Sequence, residues 1–301
     1  ILEPTFDETG MHLDTTHYPM ITNSANTAIY DTDSQGHFYC IGFVNTSTYG
    51  RDGILNNIFG ELIYVSYLGC FFKAKSTINT FGSIHKIIGG NLIMCEVVAE
   101  PDSDNLSSVL NASGTHNSLI ADSRFYGPGK NQSISASTAH NIIRTSNVVG
   151  THILYSLIAD GATDGFHFDA TSGARNTVIY KNTFVNLAGD AMDFQELDTS
   201  TQGHRVEGNI AFNVDGNFIE SDAEGKLISS KNSYSGSGAY FNGVTEFNVT
   251  NTEVSIATDD FFDYANGDYR VKRNTDVFNR FKGAGNLGAF QNEDFEFVSV
   301  S

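Results

Sequence analysis

The chain contains no tryptophan, only four prolines and three cysteines, and few basic residues. Its 17 lysines and arginines stand against 35 aspartates and glutamates, which gives a formal net charge of −18. Because phosphate binding requires a basic surface, this charge excludes nucleic acid as the expected partner. The surplus of carboxylates instead favours sites for divalent cations, and Ca²⁺ is the expected cofactor if the protein has one.

Long hydrophobic runs are also missing. The most apolar segment, LIYVSYLGCFF at 62–72, is too short and too interrupted to span a bilayer, so we do not expect a transmembrane protein. The sequence begins ILEPTFDETG, without Met or a basic n-region, so no signal peptide is visible and we expect a processed or truncated product.

The three cysteines form no obvious disulfide framework and no CxxC metal motif. Stacked neighbours could be close enough for a disulfide, but an odd count leaves one thiol over, so the redox compartment stays open. Cys40, Cys70 and Cys95 lie in the similar contexts HFYCIGF, YLGCFFK and LIMCEVV, at steps of 30 and 25 residues. We interpret them as a ladder of small buried residues, since free cysteine behaves as a small hydrophobic side chain.

No apolar pattern at helical spacing is sustained along the chain. Instead, 40% hydrophobic residues and 29 glycines are combined with abundant Asn, Ser and Thr. This composition is typical of many short strands joined by turns, and 301 residues are enough for one large core.

A repeat of about 25 residues is visible from residue 117 onward. NSLIADSRFYG, HNIIRTSNVVG, NTVIYKNTFVN, HRVEGNIAFNV and KLISSKNSYSG align on a polar position occupied by Ser123, Asn147, Asn182, Asn209 and Asn232. Two residues later come Phe125, Val149, Phe184, Ala211 and Tyr234, which are mostly apolar. Such a period without helices predicts a β-solenoid, in which successive coils stack like residues on like. Asn suits the bend, because it tolerates left-handed backbone and its amide can bond along the stack.

In this pattern, over 21–243, the sequence resembles the right-handed parallel β-helix proteins of the pectate-lyase-like superfamily. The tail NGDYRVKRNTDVFNRFKGAGNLGAFQ, 266–291, is similar to the closing segment of many secreted β-helix proteins. The resemblance implies an all-β, right-handed parallel β-helix (β-solenoid) of about eight or nine coils. We expect one domain, with an N-terminal lead-in or arm at 1–20, the β-helix at 21–260 and a C-terminal capping segment at 261–301.

A candidate site follows from aligning TDGFHFDA, GDAMDFQE and NFIESDAE. If Phe166, Met192 and Ile219 point inward, the residues that follow them point outward in one column; these are the candidate catalytic residues His167, Asp193 and Glu220. The steps of 26 and 27 residues match the repeat. The candidate substrate-binding residues are Arg175, Lys181, Asp169 and Gln195. The candidate metal ligands are Asp164, Asp190 and Asp222.

Two chemistries fit such a group. Paired carboxylates serve a glycoside hydrolase as acid and base, whereas Ca²⁺ with a basic residue serves a lyase that acts on uronates. The motifs TDG, GD and GH are faintly similar to those of polygalacturonase-type hydrolases, but Asp190 is followed by Ala191 where that family has a second aspartate. Each acidic residue has a structural alternative, since carboxylates beside turns also bond to backbone N–H groups.

Two functions therefore stay open. The first is an extracellular protein that binds or cleaves polysaccharide, by lyase or hydrolase action, in an acidic groove on one sheet. The second is a non-catalytic β-helix of a virion tailspike or fibre, an adhesin or a cell-surface layer. The expected partner is a polysaccharide or cell-surface glycan, and the fibre alternative adds a homotrimer. The expected location is extracellular, at the cell surface or on a virion.

Overall fold

The computed structural model describes residues 3–24, 30–31, 36–46, 55–56, 65–74, 84–85, 90–99, 108–111, 117–130, 141–146, 149–169, 176–195, 203–221, 227–243, 248–250, 256–272 and 275. These residues form three parallel sheets of nine strands each. Each sheet takes every third strand of the chain, so the backbone winds from sheet 1 to sheet 2 to sheet 3 and back. This connectivity is that of a parallel β-solenoid, and the predicted all-β fold class is confirmed.

The strands are short, with two to six residues each. Sheet 1 contains β1 (Met20–Asn23), β4 (Gly42–Asn45), β7 (Phe71–Ala74), β10 (Glu96–Ala99), β13 (Arg124–Tyr126), β16 (Leu157–Gly161), β19 (Thr183–Leu187), β22 (Ile210–Val214) and β25 (Ser233–Gly236). Sheet 2 contains β2 (Tyr30–Asp31), β5 (Leu55–Asn56), β8 (Ile84–His85), β11 (Ser108–Asn111), β14 (Asn141–Ser146), β17 (Phe166–Asp169), β20 (Met192–Gln195), β23 (Ile219–Ser221) and β26 (Phe241–Gly243).

Sheet 3 completes each coil. It contains β3 (Gly36–Tyr39), β6 (Val65–Leu68), β9 (Asn91–Ile93), β12 (Leu119–Ala121), β15 (His152–Leu154), β18 (Val178–Tyr180), β21 (His204–Glu207), β24 (Leu227–Ser230) and β27 (Asn248–Thr250). After β27 come a 3₁₀ turn, Thr258–Asp260, then β28 (Phe261–Asp263), a second 3₁₀ turn, Tyr264–Asn266, and β29 (Asp268–Val271). β28 and β29 pair antiparallel.

The regular part of the solenoid amounts to about five turns, fewer than the eight or nine predicted. Nine strands line each sheet. Within the described residues, sheet 2 of the first three coils contains the two-residue strands β2, β5 and β8. The predicted count followed the length of the repeat, which does not show how much strand each coil forms.

The core runs through the inside of all three sheets as columns of apolar residues in register. In sheet 1, Phe43 stacks on Phe72 with ring centroids 5.2 Å apart and planes only 7° from parallel. The same column continues through Val97, Phe125, Ile158, Phe184 and Ala211, all fully or almost fully buried. Stacking of like residues, which the repeat predicted, therefore supplies a continuous apolar interior.

The polar column at the bend before sheet 1 is confirmed as a hydrogen-bonded ladder, with one correction. Asn232, Asn209 and Asn182 bond in sequence, and Ser156 and Ser123 continue the series. Ser156, rather than the predicted Asn147, occupies the fourth place, and Ile158 replaces Val149 in the apolar column. The error arose because 141–146 form a strand of sheet 2, whereas the alignment placed them in the coil position of sheet 3. The step of 33 residues from Ser123 to Ser156 contains the extra length.

The left-handed backbone at this bend belongs to the residue before the ladder, not to the asparagine as predicted. Positive φ angles occur at Tyr155 (52°), Lys181 (55°), Gly208 (70°) and Lys231 (56°). Each of these residues directly precedes a ladder residue, so the ladder side chain is left to bond along the stack.

The three cysteines are buried and are not joined in disulfides, and two of them confirm the predicted ladder of small buried residues. Cys70 and Cys95 occupy the ladder position itself, since the Cys95 N–H donates to Ser123 Oγ at 3.1 Å. Cys40 lies one position earlier, at the left-handed bend (φ 49°). Its contacts are with Leu13 and Tyr18 of the N-terminal segment instead of the main core.

The described parts of both terminal segments lie along the outer face of sheet 1. The N-terminal segment is held by Glu96 of β10, whose carboxylate accepts the Leu13 N–H at 2.5 Å. On the same face, Phe261, Tyr269 and Val271 pack against outward-facing residues of β16, β19 and β22, which are Leu157, Ala159, Val185, Ile210 and Phe212. The described part of the predicted capping segment therefore covers a side of the solenoid.

Within the described residues, no helix is long and apolar enough to cross a membrane.

Candidate functional site

Three predicted residues occupy one column on the outer face of sheet 2. His167 of β17 pairs in register with Asp193 of β20, and Asp193 pairs with Glu220 of β23. Their inward neighbours Phe166, Met192 and Ile219 are buried in the core, as the alignment required. The predicted placement of the column is thus confirmed, because one apolar residue per strand determines which residues alternate outward.

The column extends in both directions beyond the residues that the sequence indicated. Arg144 of β14 pairs in register with His167, and Asn242 of β26 pairs with Glu220. Sequence reasoning missed Arg144, because it placed β14 in the wrong sheet. The apolar pair Ile142 and Ile143 before it was the signal that could have revealed a sheet 2 strand.

His167 is the centre of a compact group. Its Nδ1 lies 2.9 Å from Asp193 Oδ2 and 3.5 Å from Asp164 Oδ2. His167 and Asp193 are only 4% and 6% exposed, although they face away from the core. The second oxygen of Asp193, Oδ1, is buried and has no hydrogen-bond partner among the described residues.

The environment of Asp193 acts on its pKa in two directions. Burial raises the pKa of its carboxyl, and the nearby carboxylates Asp164 and Glu220 add to the rise. The hydrogen bond and the charge of His167 oppose it, but the net shift is upward. Desolvation is therefore the dominant effect on this carboxyl.

The side chains of Asp164 and Asp190 also accept hydrogen bonds from backbone N–H groups in the turns before sheet 2. Asp164 Oδ1 accepts the N–H of Asp190 at 2.8 Å, and Asp190 Oδ1 accepts the N–H of Asn217. Asn217 continues the series, since its Oδ1 accepts the N–H of Ala239 at 2.9 Å. These bonds are those of the structural alternative, in which each side chain ties its turn to the next coil.

Among the carboxyls of the described residues, that of Asp190 has the largest shift in pKa. Burial, assisted by the charges of Asp164, Glu220 and Asp193, raises its pKa to about 7, against the lowering effect of the bond from Asn217. A carboxyl with such a pKa is partly protonated at neutral pH and can donate a proton. The carboxylate of Glu220 instead accepts a hydrogen bond from Asn217 Nδ2 at 2.6 Å.

The candidate substrate-binding residues are less well grouped. Asp169 and Gln195 pair in register two residues after His167 and Asp193, but the structure describes only their backbone. Lys181 lies elsewhere, at the bend between sheets 3 and 1, buried beside the rings of Tyr155 and Tyr180. Arg175 and the candidate metal ligand Asp222 lie outside the described residues.

Asp164, His167 and Asp193 present one ligand atom each within 4.8 Å of one another, whereas the candidate ligand Asp190 is not part of this group. The arrangement combines an imidazole, two carboxylates and a neighbouring carboxyl of raised pKa. It can transfer protons or bind a cation. Comparison with protein-family models, curated proteins and solved structures finds no match to this chain.

Proposed function

We propose that the protein is an extracellular β-helix that cleaves a polysaccharide lying across the outer face of sheet 2. The observation that carries the proposal is the buried pair of His167 and Asp193, 2.9 Å apart, with Asp164 at 3.5 Å. Such burial of ionisable groups on an outward face costs stability, and a functional requirement explains it. The proposal includes membership of the pectate-lyase-like superfamily, which the repeat and the tail at 266–291 support.

The roles follow from the two kinds of carboxyl. Asp190, with a pKa raised to about 7 by burial, is the proton donor to the glycosidic oxygen. The pair of Asp193 and His167 is the base, which takes a proton from water in a hydrolase or from the sugar carbon in a lyase. Arg144, in register beside His167, supplies positive charge for an acidic sugar.

A panel of neutral and acidic polysaccharides tests this proposal. New reducing ends together with ultraviolet absorbance of unsaturated uronate would identify a lyase, and reducing ends without it a hydrolase. Asp193→Asn should reduce the rate by at least about 100-fold, in the range of a lost acid or base. Asp259→Asn, an exposed carboxylate of the first 3₁₀ turn, is the matched control and should leave the rate unchanged. Absence of cleavage across the panel by the folded chain would refute the proposal.

A second function is favoured by one specific observation. The bonds from Asp164, Asp190 and Asn217 to the backbone of the next coil account for part of the acidic column without any chemistry. On this basis the alternative proposal is a non-catalytic rod of a tailspike, fibre, adhesin or surface layer. Sedimentation equilibrium tests it, because a stable trimer without glycan cleavage would favour the rod.

A further inference from the structure

The group of Asp164, His167 and Asp193 has the composition of a transition-metal site. Each residue offers one ligand atom, and the three atoms lie within 4.8 Å of one another. Two of them are carboxylate oxygens and one is the imidazole Nδ1. We infer that these residues bind a divalent cation of the Zn²⁺ type, in place of the Ca²⁺ expected from the carboxylate content.

The imidazole decides the class of ion. Ca²⁺ takes six to eight oxygen ligands and does not favour nitrogen. Zn²⁺ and its neighbours among the first-row metals accept imidazole together with carboxylate oxygens. A buried His167 at the centre of the group therefore disfavours Ca²⁺ and favours Zn²⁺ or a similar first-row metal.

The distances agree with this class. In a tetrahedral site with metal–ligand bonds of about 2.1 Å, neighbouring ligand atoms lie about 3.4 Å apart. The observed separations from His167 Nδ1 are 2.9 Å to Asp193 Oδ2 and 3.5 Å to Asp164 Oδ2. Small side-chain movements bring all three atoms to one ion. Three protein ligands leave a fourth position for water, as in catalytic zinc sites.

An independent observation points to a missing ligand at this place. Asp193 Oδ1 is buried, with the residue only 6% exposed, and it has no hydrogen-bond partner in the described part of the chain. Buried polar atoms in native proteins nearly always have a partner. The carboxylates of Asp164 and Glu220 add negative charge around this atom. A cation bound by both carboxylate oxygens of Asp193 gives the orphan Oδ1 a partner and offsets the repulsion.

This inference goes beyond the proposed function, because the ion is held by the chain's own side chains whether or not a glycan is cleaved. A Zn²⁺-type ion lowers the pKa of its bound water to about 7. If bound, the ion would be held by Asp164, His167 and Asp193 and would supply activation of water, while Asp190 would keep its role as proton donor.

Isothermal titration of the untagged, chelator-treated chain with ZnCl₂ and, separately, CaCl₂ tests the inference. We expect one Zn²⁺ per chain, with Zn²⁺ bound more tightly than Ca²⁺. His167→Gln and Asp193→Asn should each weaken Zn²⁺ binding by more than about 100-fold, since even outer-shell changes cost 10–100-fold. The exposed residues His152 and Asp259 provide matched controls, and His152→Gln and Asp259→Asn should bind as the unmodified chain does.

A measurement on the unmodified chain keeps the test valid if a variant fails to fold. X-ray absorption of the Zn²⁺ complex should show one imidazole among oxygen ligands. No Zn²⁺ binding, binding unchanged in both cluster variants, tighter binding of Ca²⁺, or a shell without imidazole would each overturn the inference. A chain that binds Zn²⁺ as expected but cleaves no polysaccharide, with or without the ion, would leave the inference standing and remove the proposed function.

Discussion

Asn182 and Asn209 occupy the same position in successive coils, and the side chain of Asn209 links the two coils by hydrogen bonds to Asn182. Asn209 Oδ1 accepts the backbone N–H of Asn182 at 2.8 Å and its Nδ2 at 3.1 Å. Asn209 Nδ2 donates to the carbonyl of Ile179 at 3.0 Å. Both asparagines are completely buried, so each bond is made where water cannot replace it.

Removing this link should destabilise the solenoid. Asn209→Ala removes the acceptor of the buried Asn182 N–H, at about 1–3 kcal/mol, and also removes the bond from Asn209 Nδ2 to the Ile179 carbonyl. We expect the free energy of unfolding to fall by about 2–4 kcal/mol in denaturant titrations. Asn209→Ser should recover part of the loss, because Ser156 Oγ accepts the equivalent N–H of Ser123. Equal stability of the alanine variant and the unmodified chain would refute the role of the ladder.

His204 should make the protein sensitive to acid. Its ring is fully buried against Phe168 and Phe194, with no partner for either nitrogen in the described residues. Burial lowers its pKa from 6.5 to about 4. Between about pH 6.5 and 4 the unfolded chain is therefore protonated at this histidine while the folded chain is not. The free energy of unfolding falls over this range as pH drops, by about 3 kcal/mol in all.

The His204→Leu variant isolates this contribution. Between pH 7.5 and pH 5, the unmodified chain should lose about 2 kcal/mol more unfolding free energy than His204→Leu. His152→Gln, at an exposed position of β15, should retain the full pH dependence. Parallel pH profiles of His204→Leu and the unmodified chain would show that His204 does not cause the acid sensitivity.

Asp190 should act on stability in the opposite pH direction. Its pKa, raised to about 7 mainly by burial, lies above the usual 3.8, so the folded chain holds a proton that the unfolded chain releases. Stability is then lost as pH rises from about 4 to 7. Asp190→Asn keeps an oxygen for the Asn217 N–H and should raise the melting temperature at pH 8. A carboxyl resonance of Asp190 that titrates near 4 in carbon NMR would contradict this prediction.

Glu96 should control the protonation of His12 in the N-terminal segment. His12 Nδ1 lies 3.0 Å from Glu96 Oε1, and this bond raises the pKa of the imidazole although burial opposes it. The ion pair therefore stabilises the folded chain below the unfolded pKa of about 6.5, and its contribution disappears as pH rises through the folded pKa.

Proton NMR of the His12 ring tests this relationship. The pKa of His12 should fall in Glu96→Gln, because the amide keeps a hydrogen-bond acceptor but loses the charge. Glu207→Gln is a matched control on sheet 3, where Glu207 pairs with Arg205, and it should leave His12 unchanged. A His12 pKa that is the same in Glu96→Gln and in the unmodified chain would show that Glu96 does not raise it.

The sequence predicted the solenoid because its repeat is local and periodic. Phe184 and Ala211, or Met192 and Ile219, recur at the step of one coil, so their places in the core are visible without coordinates. The same periodicity placed His167, Asp193 and Glu220 in one outward column. It failed where the step changed, at Asn147, because a longer coil shifts the alignment and moves a strand to another sheet.

The sequence by itself determined which residues stack, since one coil's register repeats in the next and each coil buries its apolar side against its neighbours. Only the tertiary structure decided which outward side chains are buried, and that His167 lies between Asp164 and Asp193 while Lys181 lies at another bend. It also decided that the described parts of both terminal segments cover sheet 1. These features depend on contacts between residues without a common repeat, such as Glu96 with Leu13, and on local desolvation, which no spacing along the chain encodes.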